Sequence, residues 1–119
     1  MSIRRVVPDI ASRDLGKSRE FYEDFLGFEL AMDMGWIMTF VSPTNPTAQI
    51  SVVEDKPAPG ATPGAALTIE VADVDAVHAR AVNRHLEIVY PLTDEPWGVR
   101  RFFVRDPNGT VINVMSHLG

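Results

Sequence analysis

The chain carries two tryptophans in positions that could do chemistry. Trp36 and Trp97 each lie beside a glycine at the entrance of an apolar segment, where a large ring is seldom required for packing. Aromatic faces stack on flat heteroaromatic molecules and on cations. We therefore expect tryptophan side chains to take part in binding a small organic molecule.

Three acids near apolar strands allow a second chemistry. Asp9, Glu54 and Glu70 neighbour the segments predicted as strands, and Asp9 and Glu70 share one strand parity. Two carboxylates in one site could bind a metal ion or act as acid and base. Solvated or salt-bridged strand acids are the alternative interpretation.

The three histidines do not form a metal site by spacing. His78 and His85 are seven residues apart on a predicted helix, about 10 Å along its axis, which is too far for one ion. His85 is explained by the negative C-terminal end of that helix. His117 follows the last predicted strand, where it could reach another subunit.

Composition excludes several classes of protein. With 119 residues, no cysteine and a net charge of -5, the chain is long enough for one core and has no disulfide, thiolate zinc site, iron–sulfur cluster or cysteine nucleophile. The acidic balance without a basic run argues against nucleic acid. The N-terminal apolar run is too short for a signal or a membrane anchor, so a cytoplasmic protein is expected. Nucleophile-elbow and phosphate-binding glycine patterns are absent.

The elements that must position these side chains occur in the same order twice. Each half is predicted to contain a strand, a helix behind a capping aspartate, and three more strands. The predicted elements are strands Arg5–Ser12, Phe28–Met32, Trp36–Val41, Gln49–Val53, Ala66–Val71, Glu87–Tyr90, Val99–Val104 and Thr110–Met115, and helices Leu15–Leu26 and Val74–His85. In the first helix, the apolar positions Phe21, Tyr22, Phe25 and Leu26 are predicted to include its buried face.

A segment rich in proline and glycine separates the halves. We predict one domain made of module one at residues 1–54, a linker at 55–64 and module two at 65–119. Superposing Phe40-Val41 on Phe103-Val104 relates the halves by 63 residues, and superposing Asp14 on Asp73 relates them by 59. The repeated order indicates an internal repeat.

Two stretches resemble the vicinal oxygen chelate superfamily, which includes glyoxalase I, bleomycin resistance proteins and extradiol dioxygenases. They are Ser12-Arg-Asp14 with Ser18-Arg-Glu-Phe-Tyr-Glu-Asp-Phe-Leu-Gly-Phe28, and Pro96-Trp-Gly-Val-Arg-Arg-Phe102 with Asp106-Pro-Asn-Gly109. The resemblance implies an α+β fold in which two βαβββ modules form an eight-stranded cup, usually in a dimer. It is greatest to the bleomycin resistance branch, whose members sequester their ligand.

The resemblance also assigns four positions to the ligands of a divalent metal. In this sequence they are Val7, Ala66, Asn113 and a position near Ser51. Valine and alanine cannot bind a metal, and hard divalent ions require several carboxylate or imidazole ligands. We therefore expect no metal, no cofactor and no catalytic residue in the cup.

Strand alternation then predicts the wall of the binding site. Taking Asn113 as facing the cup, and carrying the alternation through the repeat, turns an apolar and aromatic set inward. The predicted ligand-binding residues are Trp36, Met38, Phe40, Trp97, Arg101, Phe103 and Asn113. Met38, Phe40 and Phe103 could equally be core or dimer interface, and Arg100 could equally be a surface salt-bridge partner.

We conclude from the sequence that the chain binds a small organic ligand without metal, the ligand being a cationic or planar aromatic antibiotic. A cytoplasmic homodimer that binds neither nucleic acid nor membrane is expected. The alternative is a lyase, isomerase or dioxygenase of the same superfamily that uses Asp9, Glu70 or Glu54, with or without a divalent metal. A carrier of some other metabolite also remains open.

Overall fold

The computed structural model describes residues 2–55, 64–107 and 109–119. Most of the predicted linker, residues 56–63, lies outside the described residues, as does Asn108 of the predicted Asp106–Gly109 turn. The strands are β1 Ile3–Ser12, β2 Glu29–Asp33, β3 Ile37–Val41, β4 Gln49–Glu54, β5 Leu67–Val71, β6 Ile88–Asp94, β7 Val99–Arg105 and β8 Val111–His117. The α-helices are α1 Leu15–Arg19 and α2 Val74–Asn83.

The eight strands form one mixed sheet in the order β2-β3-β4-β1-β5-β8-β7-β6. In each module the first and last strands are parallel, as β1 with β4 and β5 with β8, and the other pairs are antiparallel. The predicted α+β fold of two βαβββ modules is confirmed.

The two capping aspartates begin the helices as the sequence predicts. Asp14 accepts a hydrogen bond from the Lys17 amide at 3.1 Å, and Asp73 accepts one from the Ala76 amide at 3.1 Å. Each carboxylate satisfies an amide that the first helical turn leaves without a partner. Helix α2 ends at Asn83, two residues before the predicted end, because His85 adopts the left-handed conformation with φ 56°.

The first helix departs from the prediction. After α1 the chain continues as a π-helical segment, Glu20–Phe25, in which the Leu26 amide bonds to the Phe21 carbonyl at 3.1 Å. The wider turn breaks the α-helical spacing, so Tyr22 packs in the core while Phe25 is 73% exposed. Phe21 and Leu26 are also exposed. The prediction of one regular amphipathic helix over Leu15–Leu26 was wrong.

The chain divides into two compact units, which nearly coincide with the modules. The first unit comprises residues 7–55. Its core centres on Met38, Phe40 and Val52. The second unit comprises residues 2–6 and the described residues from 64 onward. In its core, Phe102 and Val114 pack beneath Val74 and Ala81 of α2.

Candidate functional site

The second unit holds a cluster of three aromatic rings around one guanidinium. The Arg101 Cζ atom lies 4.8 Å from the centre of the Phe103 ring, 5.0 Å from that of Trp97 and 5.3 Å from that of Tyr90. All three distances are within the range of a cation–π interaction. The aromatic rings predicted to attract a ligand are therefore already in contact with a cation of the chain itself.

A buried carboxylate neutralises that guanidinium. Arg101 donates from Nε and Nη2 to the Glu95 Oε2 atom at 3.0 and 2.8 Å, and Tyr90 donates its hydroxyl to Oε1 at 3.1 Å. The Glu95 side chain is 8% exposed. Both carboxylate oxygens are thus partnered, as a charge removed from water requires. We call Tyr90, Glu95, Trp97, Arg101 and Phe103 the arginine–aromatic cluster.

Irregularities in β6 and the hairpin after it bring the cluster together. The register of β6 against β7 shifts on both sides of Tyr90, which places Tyr90 opposite Phe103 although Ile88 packs on the α2 side. The Glu95 amide donates to the Val99 carbonyl at 2.8 Å, and Gly98 closes the turn with φ +91°. A side chain at position 98 would be strained in that conformation.

Asn113 lies on the sheet face opposite α2, which we call the distal face. It is opposite Phe103 in β7 and Thr68 in β5. Its Nδ2 atom donates to the Thr68 hydroxyl at 3.1 Å, but its buried Oδ1 atom has no hydrogen-bond partner among the described residues. The residue is 8% exposed. An unsatisfied buried acceptor is uncommon in a folded protein and requires an explanation.

The distal face also carries a carboxylate between two basic groups. Glu70 accepts from the Arg5 Nε atom at 2.9 Å and contacts the His117 Nδ1 atom at 3.0 Å. The Glu70 side chain is 14% exposed, whereas that of His117 is 58% exposed. When Nδ1 bears the proton that Glu70 accepts, the Nε2 atom of His117 is left as an acceptor.

Met38 and Phe40 lie on the other face of their sheet. Both belong to the core of the first unit, and the Phe40 ring is fully buried 5.8 Å from the Tyr22 ring. The predicted inward orientation of these two residues was wrong. The prediction related the modules by an odd offset of 63, and an odd offset exchanges the two faces of a strand.

Thr39 and Ser51 occupy the face to which Met38 and Phe40 were assigned. They are opposite each other in β3 and β4, both are buried, and their hydroxyls are 2.9 Å apart. Alternation within β3 identifies Thr39 once Phe40 is known to pack beneath the helix. Sequence reasoning missed Thr39 because the repeat was aligned on the pair Phe-Val.

Trp36 and Trp97 are both partly exposed, at 37% and 38%. Trp36 belongs to the first unit and precedes β3, where its carbonyl accepts from the Glu54 amide at 2.8 Å. Trp97 belongs to the arginine–aromatic cluster. Of the predicted ligand-binding residues, the second unit thus brings Trp97, Arg101 and Phe103 into contact and places Asn113 beside Phe103.

Arg100 points toward α2 and serves as a surface salt-bridge partner. It bonds to Asp75 at 3.0 Å and to Asp94 at 2.8 Å. These hydrogen bonds, that of Asp75 first, raise the pKa of Arg100 above its ordinary value. The alternative surface interpretation of this arginine is therefore the one the structure supports.

The positions that the resemblance assigns to metal ligands do not fit a metal. Val7 is apolar and 3% exposed, Ala66 has no donor atom, and the Ser51 hydroxyl bonds to Thr39. Among the residues that the structure describes, no three histidines or acids are grouped so as to hold an ion. Asn113 would be the single remaining oxygen donor.

Asp9 and Glu54 lie in strands of the first unit. Asp9 is half-buried in β1 opposite Ser51, and Glu54 is the last residue of β4, opposite Ser12. Glu70 belongs to the second unit, where Arg5 and His117 hold it. Whether these acids act together stays a prediction.

Comparison with known families identifies the class of protein. The model of the Glyoxalase/Bleomycin resistance protein/Dioxygenase superfamily matches residues 3–114. The chain therefore belongs to this superfamily, as the strand order of both modules also indicates. A comparison with curated proteins found no match.

Solved structures of similar fold extend over almost the whole chain. A superfamily member from Vibrio splendidus has a TM-score of 0.72 at 18% identity, with 97% of this chain and 99% of that chain covered. Methylmalonyl-CoA epimerase from Mycobacterium tuberculosis has a TM-score of 0.71 at 22% identity, with 98% and 88% covered. A methylmalonyl-CoA epimerase from Streptomyces coelicolor, in complex with 2-nitronate-propionyl-CoA, has a TM-score of 0.72 at 18% identity, with 99% and 100% covered.

No helix in the described part of the chain is long and apolar enough to cross a membrane.

Proposed function

We propose that the chain binds an elongated, planar organic molecule on the distal face of its second unit, without a metal ion. The observation that carries the proposal is the buried Asn113 Oδ1 atom, which lacks a partner among the described residues. Leaving such an acceptor unsatisfied costs about 1–3 kcal/mol. A ligand that donates an N–H or O–H group there would recover that free energy.

The rest of the distal face supports the choice of an elongated planar ligand. From Phe103, opposite Asn113, β7 runs back four residues to Val99, which follows the Trp97 hairpin. Four residues of strand span about 13 Å. A molecule of two or more fused or linked rings could therefore bond to Asn113 and contact the exposed part of Trp97.

A planar ligand is favoured over a simple cation. Arg101 already lies against the three rings of the arginine–aromatic cluster, and Glu95 is bonded to it. A cation would have to displace Arg101 from those rings and leave a buried ion pair incomplete, which is costly. Sequestration of a planar aromatic antibiotic, as in the bleomycin resistance branch, is the role we propose, in a cytoplasmic homodimer.

Tryptophan fluorescence tests the proposal. The substitution Trp36→Phe leaves Trp97 as the single tryptophan, and the ligand panel is made of bleomycin-like, mitomycin-like and quinoxaline compounds. We expect saturable quenching by a planar donor-bearing compound, weakened about tenfold by Asn113→Leu. Ile112→Leu, a conservative change in β8 on the α2 side, is the matched control.

Metal content and oligomeric state complete the test. We expect no stoichiometric ion by elemental analysis and no change in melting temperature with chelator, because a bound metal stabilises the fold. Sedimentation equilibrium should give a dimer. Absence of quenching or stabilisation by every compound, or identical affinities of the Asn113→Leu and Ile112→Leu proteins, would refute the proposed ligand site.

The contact between Glu70 and His117 favours a second candidate function. A carboxylate that orients an imidazole is the arrangement by which enzymes hold a general base. A lyase, isomerase or dioxygenase of the superfamily could use this pair, with Asp9 or Glu54 as a further acid. Solvent deuterium exchange at the carbon beside a carbonyl, followed by NMR on glyoxal hemithioacetals and acyl thioesters, tests it. Exchange that is lost in both Glu70→Gln and His117→Gln would support it.

A further inference from the structure

An apolar cavity of about 180 Å³ lies between α2 and β7, on the face of the second unit away from the proposed ligand site. Its walls are Val77 and Ala81 of α2, Leu86 after the helix, and Phe102 and Val104 of β7. An apolar cavity of about 150 Å³ in another protein binds benzene. The space is therefore sufficient for one ring or a short acyl chain.

Two arginines complete the lining of this cavity. Arg80 and Arg84 are one helical turn apart, and both side chains are exposed. Neither has an ion pair or side-chain hydrogen bond with any described residue. Two like charges at this spacing repel each other and slightly destabilise a helix. The negative C-terminal end of α2 helps to hold both near its last turn without a carboxylate.

Carboxylates of the same unit are engaged by other arginines. Glu87 bonds to Arg105 at 3.1 Å, and Asp75 and Asp94 bond to Arg100. In a chain of net charge -5, a pair of unneutralised guanidinium groups beside an apolar cavity is complementary to an external anion.

We propose that this cavity binds an amphipathic organic anion, whose carboxylate bonds to Arg80 and Arg84 and whose apolar tail enters the cavity. The tail is the size of a phenyl ring or a short acyl chain. Guanidinium groups recognise carboxylates with paired, charge-assisted hydrogen bonds. The site is separate from the distal face and does not depend on the function proposed for it.

Amide chemical shifts of the whole chain, titrated with hexanoate, test the proposal. We expect saturable shifts at Ala81, Leu86 and Phe102 with hexanoate, and much weaker ones with hexan-1-ol, which has the same tail without the charge. Arg80→Gln and Arg84→Gln should each weaken hexanoate binding about tenfold. Arg4→Gln is the control, because it removes an exposed guanidinium outside the cavity.

A further variant keeps the test independent of the arginines. Leu86→Glu places a negative charge at an exposed position of the lining and should abolish hexanoate binding while leaving the fold intact. Equal binding of hexanoate and hexan-1-ol, unchanged affinity in both arginine variants, or the absence of saturable shifts would each overturn the proposal.

Discussion

The ion pair between Arg101 and Glu95 gives the most specific prediction of stability. In Arg101→Met the Glu95 carboxylate, 8% exposed, keeps the Tyr90 hydroxyl as a donor but loses both bonds to the guanidinium. Removing one partner of a buried pair costs about 3–5 kcal/mol. Methionine keeps apolar contact with the three rings, so packing accounts for a small part of the loss.

Restoring neutrality should recover part of that loss. In the double variant Arg101→Met/Glu95→Gln no charge is buried, and the Tyr90 hydroxyl can still bond to the amide at position 95. We therefore expect the double variant to be more stable than Arg101→Met alone. A coupling free energy of about 2 kcal/mol between the two positions is expected, within the range for contacting residues.

Urea unfolding of the four proteins measures this coupling. Arg100→Met is the matched control, because the neighbouring arginine makes a similar number of bonds to carboxylates that are 62% and 59% exposed. Exposed ion pairs contribute little, so its midpoint should hardly change. An Arg101→Met protein as stable as the wild type, or losses that simply add in the double variant, would refute the reasoning.

Three further predictions concern the core, the helix caps and Asn113. Phe40→Ala and Phe102→Ala should each cost about 3–5 kcal/mol in urea unfolding, because both rings are fully buried in equivalent cores; a loss below about 1 kcal/mol in either would contradict this packing. Asp14→Ala and Asp73→Ala should each cost about 1 kcal/mol, through loss of the bond to the Lys17 or Ala76 amide; Asp14→Ser and Asp73→Ser should retain most of the stability. Asn113→Leu should raise the free energy of unfolding by about 1 kcal/mol, because it removes an unsatisfied buried acceptor; a destabilised protein would mean that Oδ1 is satisfied.

The order of elements could be predicted because its determinants are local. Asp14 and Asp73 begin helices through bonds three residues away, and glycines such as Gly27, with φ +84°, end or turn the chain where they stand. The strands follow from apolar runs between such signals. These features depend on neighbouring residues, so the sequence displays them directly.

The faces of the strands depend on register, which is not local. The alternation within module two is anchored on Asn113, and it places Arg101 and Phe103 on the distal face as predicted. Carrying it to module one required an even offset, and the pair Phe-Val at residues 40–41 supplied an odd one. The contact of Tyr90 with Arg101 was also missed, because it depends on register shifts in β6 that no single residue type marks.

The equivalent faces of the two modules have diverged in a way that explains where binding is to be sought. In module one, Thr39 and Ser51 bond to each other, so their hydroxyls need no external partner. In module two, Phe103 and Asn113 hold the corresponding places in β7 and β8, and Asn113 keeps an unsatisfied acceptor beside an aromatic ring. A duplicated fold is maintained by its helix-side cores, which are similar in the two modules. The opposite faces are then free to differ, and the second one offers the groups that a ligand could satisfy.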